Sequence, residues 1–136
     1  MLTRQFVLAG HAIFTVSNAT GDRYTFRVTH KKASDRWPAV WFIAMLTGPN
    51  NEMDYTYVGK VDPKAGAVML TGKSAYPATA MPVKVANFGL RVIWGIQTLP
   101  DNYAIHHEGK CGRCGRLLTV PESVDSGFGP ECIKKI

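Results

Sequence analysis

The three cysteines of this chain all lie between positions 111 and 132, and their clustering constrains the fold more than any other feature. Cys111 and Cys114 are separated by two residues, a spacing that lets a tight turn direct both thiolates at one zinc ion. With Cys132 they supply three sulfurs, and histidine is the usual fourth donor of a tetrahedral site. We therefore predict a Zn²⁺ site formed by these cysteines and His107, delivered by a strand that leads into the turn. The alternatives are His106, which would point to the opposite face of that strand, and water or a group from a partner.

Other chemistries for the cysteines are less consistent with the sequence. A redox pair would need a thioredoxin-like strand and helix around it, and an iron–sulfur cluster normally takes four cysteines. A catalytic zinc ion keeps an open position beside a group that acts on water, a role that Glu108 and Glu131 could take. Three thiolates make zinc a poor Lewis acid, so we predict a structural ion that orders a segment too small to hold a core alone.

The residues around the cysteines predict a compact arrangement. Gly112 and Gly115 suit a turn whose backbone amides point at sulfur. Residues 116–120 can return as a short strand, and residues 121–126 form one helical turn. Cys132 then lies in the first turn of a short C-terminal helix, whose dipole favours a thiolate. A knuckle, a hairpin and a ligand at a helix start together form a treble clef.

The same segment carries a family resemblance. The stretches CGRCGRLLTVPES (111–123) and GFGPEC (127–132) resemble a short zinc-binding domain of unknown function that occurs in bacteriophage and actinobacterial proteins. The resemblance covers about residues 106–132. It implies zinc binding and a phage or bacterial origin, and it implies no particular activity.

The first hundred residues predict an antiparallel β-meander of about five strands. Each strand segment is rich in β-branched and aromatic residues, and turn-forming residues separate them. The segments are 12–16, 24–28, 40–46, 55–61 and 67–71. Residues 40–46 are continuously apolar, which predicts a central strand buried on both faces.

A helix from Pro82 to about Gln97 is expected to cover one face of this sheet, because apolar residues recur there at helical spacing. The residues 99–102 (Leu-Pro-Asp-Asn) indicate a boundary. The prediction is thus an α+β fold with a sheet-and-helix domain over residues 1–100 and a treble-clef-like zinc-binding tail over 101–136.

Residues 23–28 alternate between cationic or polar and apolar side chains. Tyr24, Phe26 and Val28 could form a platform for nucleic-acid bases, but this alternation more often places apolar side chains in a core and charges in solvent. We therefore predict that these three residues belong to the core.

Charge and targeting features limit the partners. The formal net charge of +6 and the pI of about 9.4 favour an anionic partner. Neither a secretion signal nor an apolar run of membrane-spanning length is apparent, so we expect no membrane partner. Together with the odd number of cysteines, this favours the reducing cytoplasm, which would be the host cytoplasm if a phage encodes the chain.

The sequence contains no convincing catalytic constellation, and we predict neither an enzyme nor a small-molecule substrate. The favoured hypothesis is a nucleic-acid-binding module whose cations surround the zinc knuckle and extend onto the first hairpin. The candidate cations are Lys110, Arg113, Arg116, Lys134, Lys135, Arg23 and Arg27. The alternative is a protein-interaction module, such as a phage protein that inhibits a host factor or defence complex, with Trp37, Tyr55 and Tyr57 as candidate contacts.

Overall fold

The computed structural model describes residues 2–118 and 121–136. Their helices and strands follow in the order α1 (Arg4–Val7), β1 (His11–Asn18), β2 (Arg23–Lys31), β3 (Val40–Leu46), β4 (Tyr55–Asp62), β5 (Ala67–Met69), α2 (Met81–Ile93), β6 (Tyr103–His107), α3 (Pro121–Ser126) and a 3₁₀ turn (Ile133–Lys135).

The strands form one six-stranded antiparallel sheet in the order β5-β4-β3-β2-β1-β6. The first five strands form the predicted meander. The sixth comes from the segment predicted to belong to the tail, and it pairs with β1 so that His107 lies opposite Phe14. Because an edge strand presents unpaired backbone N–H and C=O groups, β6 completes the hydrogen bonding of β1.

One face of the sheet carries the core. Phe14, Phe26 and Ile43 project from three adjacent strands on this face, and each is fully buried. Helix α2 contributes further residues to the same cluster, and two of them, Ala86 and Leu90, are also fully buried. As predicted, the apolar residues of the 24–28 segment face the core, where they pack against α2 and its neighbours.

The prediction that β3 is buried on both faces is wrong. Ile43 is the fully buried residue of this strand, whereas the side chains of Phe42, Ala44 and Leu46 point to the opposite face and are partly exposed. On that face the ring of Phe42 packs against the ring of Tyr57, with centroids 6.0 Å apart. An apolar run cannot distinguish a doubly buried strand from one whose outer face is covered by its own aromatic neighbours.

Helix α2 is shorter than predicted. It ends at Ile93, followed by Trp94 as C-cap and by Gly95 at a φ of +78°. Trp94 anchors this end because its indole N–H donates to the carbonyl of Pro63, at 3.1 Å. Among the described residues, no helix combines the length and apolar content that a membrane crossing requires.

The C-terminal segment belongs to the same core as the sheet. Phe128 and Cys132 are 2% and 6% exposed, and both join the cluster that contains Phe14. The centroid of the Phe128 ring lies 6.0 Å from that of Phe6 in α1. The predicted division near residue 100 therefore separates two stretches of sequence that share one core.

Candidate metal centre

The first two cysteines lie on a tight turn that begins where β6 ends. The N–H of Gly115 donates to the carbonyl of Cys111 at 2.9 Å, and the N–H of Cys111 donates to the carbonyl of Arg116 at 2.8 Å. Gly115 has a φ of +79°, a conformation that favours glycine. A β-bridge between Lys110 and Leu117 flanks the turn. The bridge residue Leu117 lies in the predicted return strand over residues 116–120. Thr119 and Val120 of that strand lie outside the described residues.

The third cysteine reaches the turn from the far end of the chain. The sulfur atoms of Cys111, Cys114 and Cys132 all lie within 4.8 Å of one another. Around a tetrahedral zinc ion with Zn–S bonds of about 2.3 Å, sulfur atoms are about 3.8 Å apart, so a contraction of about 1 Å at most would bring them into coordination. The chain thus juxtaposes three sulfur donors that can hold a metal ion.

Cys132 lies at the start of a 3₁₀ turn and not in the first turn of an α-helix. The turn covers Ile133–Lys135 and has Cys132 as its N-cap. The predicted C-terminal helix is therefore wrong in type, because the N–H of Lys135 donates to the carbonyl of Cys132 at 2.9 Å, the three-residue spacing of a 3₁₀ turn. The N–H of Ile133 donates to the carbonyl of Gly129 at 3.0 Å and fixes the backbone beside the sulfur.

The local hydrogen bonds favour a thiolate at Cys111. Burial of this side chain raises its pKa, but hydrogen bonds from the backbone N–H groups of Gly129, Cys114 and Arg113 outweigh that effect and lower the pKa to about 7. The N–H of Gly129 lies 3.4 Å from the sulfur.

The other two sulfurs differ in exposure and partners. A hydrogen bond from the backbone N–H of Arg116 lowers the pKa of Cys114, but burial and the two neighbouring sulfurs raise it above its usual value. The guanidinium of Arg113 donates to the sulfur of Cys132 at 3.6 Å. Cys114 is exposed, whereas Cys111 and Cys132 are buried. One side of the cluster is consequently open to solvent.

The structure does not bring His107 into the sulfur cluster. Its Nε2 bonds the carbonyl of Val124 at 2.5 Å, and its Nδ1 accepts from the N–H of Gly109 at 2.9 Å. Its ring packs against Phe6, with centroids 5.7 Å apart. Both nitrogens are thus engaged away from the cysteines, in contrast to the predicted role as the fourth ligand. The alternative, His106, is exposed on the opposite face of β6, beside Thr15.

Within the described ranges, no histidine or carboxylate joins the three sulfurs as a fourth donor. Side-chain direction explains this difference from the prediction. β6 continues the sheet, so its core-facing residue His107 packs on α1 and α3 instead of turning toward the knuckle.

The predicted cations do not form one continuous group. Arg23 and Lys110 line the same depression on the sheet face opposite the core. Arg113 and Lys135 line a second depression, beside α1. Arg116 is exposed at the knuckle.

Two further predicted cations, Arg27 and Lys134, already contact other groups of the protein. The Nη1 of Arg27 donates to the carbonyl of Glu52 at 3.0 Å, and its guanidinium lies 4.2 Å from the ring centroid of Tyr55. The Nζ of Lys134 lies 4.0 Å from a carboxylate oxygen of Glu131, a highly exposed pair of small energetic weight.

Sequence reasoning missed a polar network beside the tail. Thr15 is fully buried, and its hydroxyl donates to a carboxylate oxygen of Glu108 at 2.6 Å and bonds the hydroxyl of Thr25 at 2.7 Å. His11 is similarly distant in sequence from the knuckle, yet its Nδ1 donates to the carbonyl of Arg113 at 2.7 Å. These long-range pairs leave no local sequence signal, although the alternation in β2 correctly placed Thr25 on the polar face.

Comparison with known proteins agrees with the C-terminal location of this motif. Residues 105–136 match a family model described as "Family of unknown function (DUF6011)". Neither a curated protein nor a solved structure matches the chain significantly.

Proposed function

We propose that this chain is a non-enzymatic nucleic-acid-binding protein whose C-terminal segment is held in place by one structural Zn²⁺ ion. The convergence of three sulfurs within 4.8 Å supports the metal site. Thiolate donors on a glycine-bearing turn favour zinc. We infer a treble-clef-like arrangement, which the bridge between Lys110 and Leu117 and the 3₁₀ turn after Cys132 support. The ion would link Cys111 and Cys114 to Cys132 and so keep Phe128 against α1.

The fourth coordination position is best assigned to water or to an external donor. His107 could enter it only by giving up the bonds of its two ring nitrogens to Val124 and Gly109. On this basis His107→Ala should retain one zinc ion per chain, whereas Cys111→Ser should lose it. If the variant His107→Ala purifies without metal, the fourth ligand is instead His107.

Elemental analysis of protein purified under reducing conditions tests the metal assignment. One zinc ion per chain is expected, together with loss of amide-exchange protection over residues 105–136 when a chelator removes it. Absence of bound metal, with no uptake of added Zn²⁺, would contradict the proposal.

Two features support nucleic acid as the partner. The net charge is +6, and the cations next to the second and third cysteines are exposed, namely Arg113, Arg116, Lys134 and Lys135, so the approach of a polyanion is favoured. Arg116 and Lys135 are both exposed, whereas Arg113 is partly committed to the Cys132 sulfur. We therefore assign phosphate contact first to Arg116 and Lys135.

A salt-dependent binding assay with a matched control tests this assignment. Arg116→Ala/Lys135→Ala and Lys64→Ala/Lys84→Ala each remove two positive charges, the second pair from the exposed surface away from the knuckle. Only the first should weaken binding strongly and reduce the salt slope, by about one unit per lost phosphate contact. Equal effects of the two pairs would indicate a general charge effect and no site at the knuckle.

One observation favours the alternative, association with a host protein. Trp37 lies between β2 and β3 with 66% of its surface exposed, and exposed tryptophans are frequent hot spots of protein interfaces. If the protein binds no nucleic acid, a host-protein pull-down that depends on Trp37 supports this alternative.

A further inference from the structure

The face of the sheet opposite the core presents an unusual combination of side chains. The pairing of Phe42 with Lys60, of Ala44 with Tyr57 and of Leu46 with Tyr55 places all six side chains on this face. Pairing of Ala44 with Arg27 extends it to β2. We refer to the surface formed by Arg23, Arg27, Phe42, Tyr55, Tyr57 and Lys60 as the open face.

We propose that the open face binds single-stranded nucleic acid, with its aromatic rings stacking on bases and its cations contacting phosphates. This inference rests on the proposed function, which it deepens by naming the form of nucleic acid and a second contact surface. It concerns aromatic residues other than the 24–28 platform, whose side chains lie in the core.

The aromatic residues of the open face are only partly buried. Phe42 and Tyr57 line a depression of about 640 Å³ together with Lys60 and Lys73. Their rings meet edge to face, at an interplanar angle of 63°, which leaves ring surface available in the depression. An exposed ring can stack on any base, because every base has a π-face.

Another depression of the open face measures about 400 Å³, and its lining includes Tyr55, Arg23 and Lys110. Tyr55 and Tyr57 are two residues apart on β4, so their Cα atoms are separated by about 7 Å and the two depressions each include a tyrosine of the same strand. The guanidinium of Arg27 lies over the Tyr55 ring and adds a cationic plane. The surface therefore offers successive stacking positions along one strand.

Charge complementarity favours a polyanion on this surface. Arg23, Lys60, Lys73 and Lys110 surround the two depressions, and the acidic side chain there, Glu108, accepts a hydrogen bond from Thr15. Aromatic rings interleaved with cations on an open antiparallel sheet suit unpaired bases, whose faces are accessible, better than a duplex, whose bases are stacked internally.

Fluorescence anisotropy with a labelled 15-mer of thymidine or uridine tests the inference, with a duplex of equal length and a polyglutamate peptide as competitors. The expected result is tighter binding of the single strand than of the duplex, and weak competition by polyglutamate. Tyr57→Leu should weaken single-strand binding by about 5- to 150-fold, the range expected for one lost stacking contact. The control Tyr57→Phe keeps the ring and should bind nearly as tightly.

A conformational control and a separate charge variant make the outcomes distinguishable. Tyr57→Leu and Tyr57→Phe should have similar denaturation midpoints, and Phe42→Leu, which also keeps apolar volume without a ring, should reproduce the loss. Equal affinity for duplex and single strand, or for polyglutamate and single strand, would overturn the inference, as would unchanged binding by both leucine variants. If those results accompany a loss in Arg116→Ala/Lys135→Ala, the proposed knuckle contact survives and only the open-face inference fails.

Discussion

Three glycine substitutions can measure how the metal-binding segment is held against the rest of the protein. Gly127 has a φ of +79°, and a Cβ atom added to it would lie 2.5 Å from Cδ1 of Phe6. Gly112 lies outside the positive-φ region, but its added Cβ would lie 2.6 Å from the same atom. Gly109 has a φ of +78° and no atom within 4 Å of the added Cβ. The three positions therefore separate backbone strain from a steric clash.

The expected costs follow from these geometries. Gly109→Ala should lower the free energy of unfolding by about 1–2 kcal/mol, the cost of a left-handed conformation for a residue with Cβ. Gly112→Ala should cost about 1–3 kcal/mol through overpacking, because the Phe6 ring is fully buried and cannot move into solvent. Gly127→Ala combines both effects and should cost about 2–5 kcal/mol. In a chain of this length the melting temperature falls by about 4 °C per kcal/mol.

Urea denaturation of the reduced, zinc-saturated protein is the appropriate assay. Phe6→Leu removes the ring atoms that the new methyl group meets, so the double variant Phe6→Leu/Gly127→Ala should be more stable than the sum of its single effects predicts. The reasoning is refuted if Gly127→Ala costs no more than Gly109→Ala, because the C-terminal segment would then not rest on Phe6.

Three further predictions concern other parts of the molecule. The side-chain oxygen of Asn87 accepts from the N–H of Val68 at 2.8 Å, so Asn87→Ala should destabilise the protein by about 1 kcal/mol and accelerate hydrogen exchange at that amide. Thr15→Val removes the hydroxyl that bonds Glu108 and should cost about 1–3 kcal/mol in urea denaturation. Protons compete with metal for the thiolates, and the pKa of Cys111 is lowered to about 7 whereas that of Cys114 is raised, so the zinc content measured after dialysis should fall progressively as the pH is lowered.

The first hundred residues illustrate what local pattern reveals. The hairpin of β1 and β2 was predictable because β-branched and aromatic residues flank a turn-forming segment, and the alternation in β2 assigned its core residues correctly. The partial exposure of the Phe42 side chain was not predictable, because the same apolar run suits a strand that is covered on two faces or on one. Whether another element covers the second face depends on the whole topology.

At the metal centre, too, local spacing predicted only part of the arrangement. Spacing alone brought Cys111 and Cys114 together, because two intervening residues fit one tight turn. Spacing also suggested His107, but the antiparallel register of β6 on β1 decides where that ring points. The position of Cys132 relative to the pair depends on packing of Phe128 against Phe6, which are far apart in sequence.

The sequence by itself determined the strands of the meander, the residues of the sulfur cluster and the basic character of the surface, because each depends on neighbouring side chains or on composition. The tertiary structure alone decided that β6 joins the main sheet, that His107 bonds backbone groups instead of completing the sulfur cluster, and that Phe42 and Tyr57 share a partly exposed face. These outcomes depend on contacts between residues distant in the chain, whose free energies are fixed only when the whole core assembles.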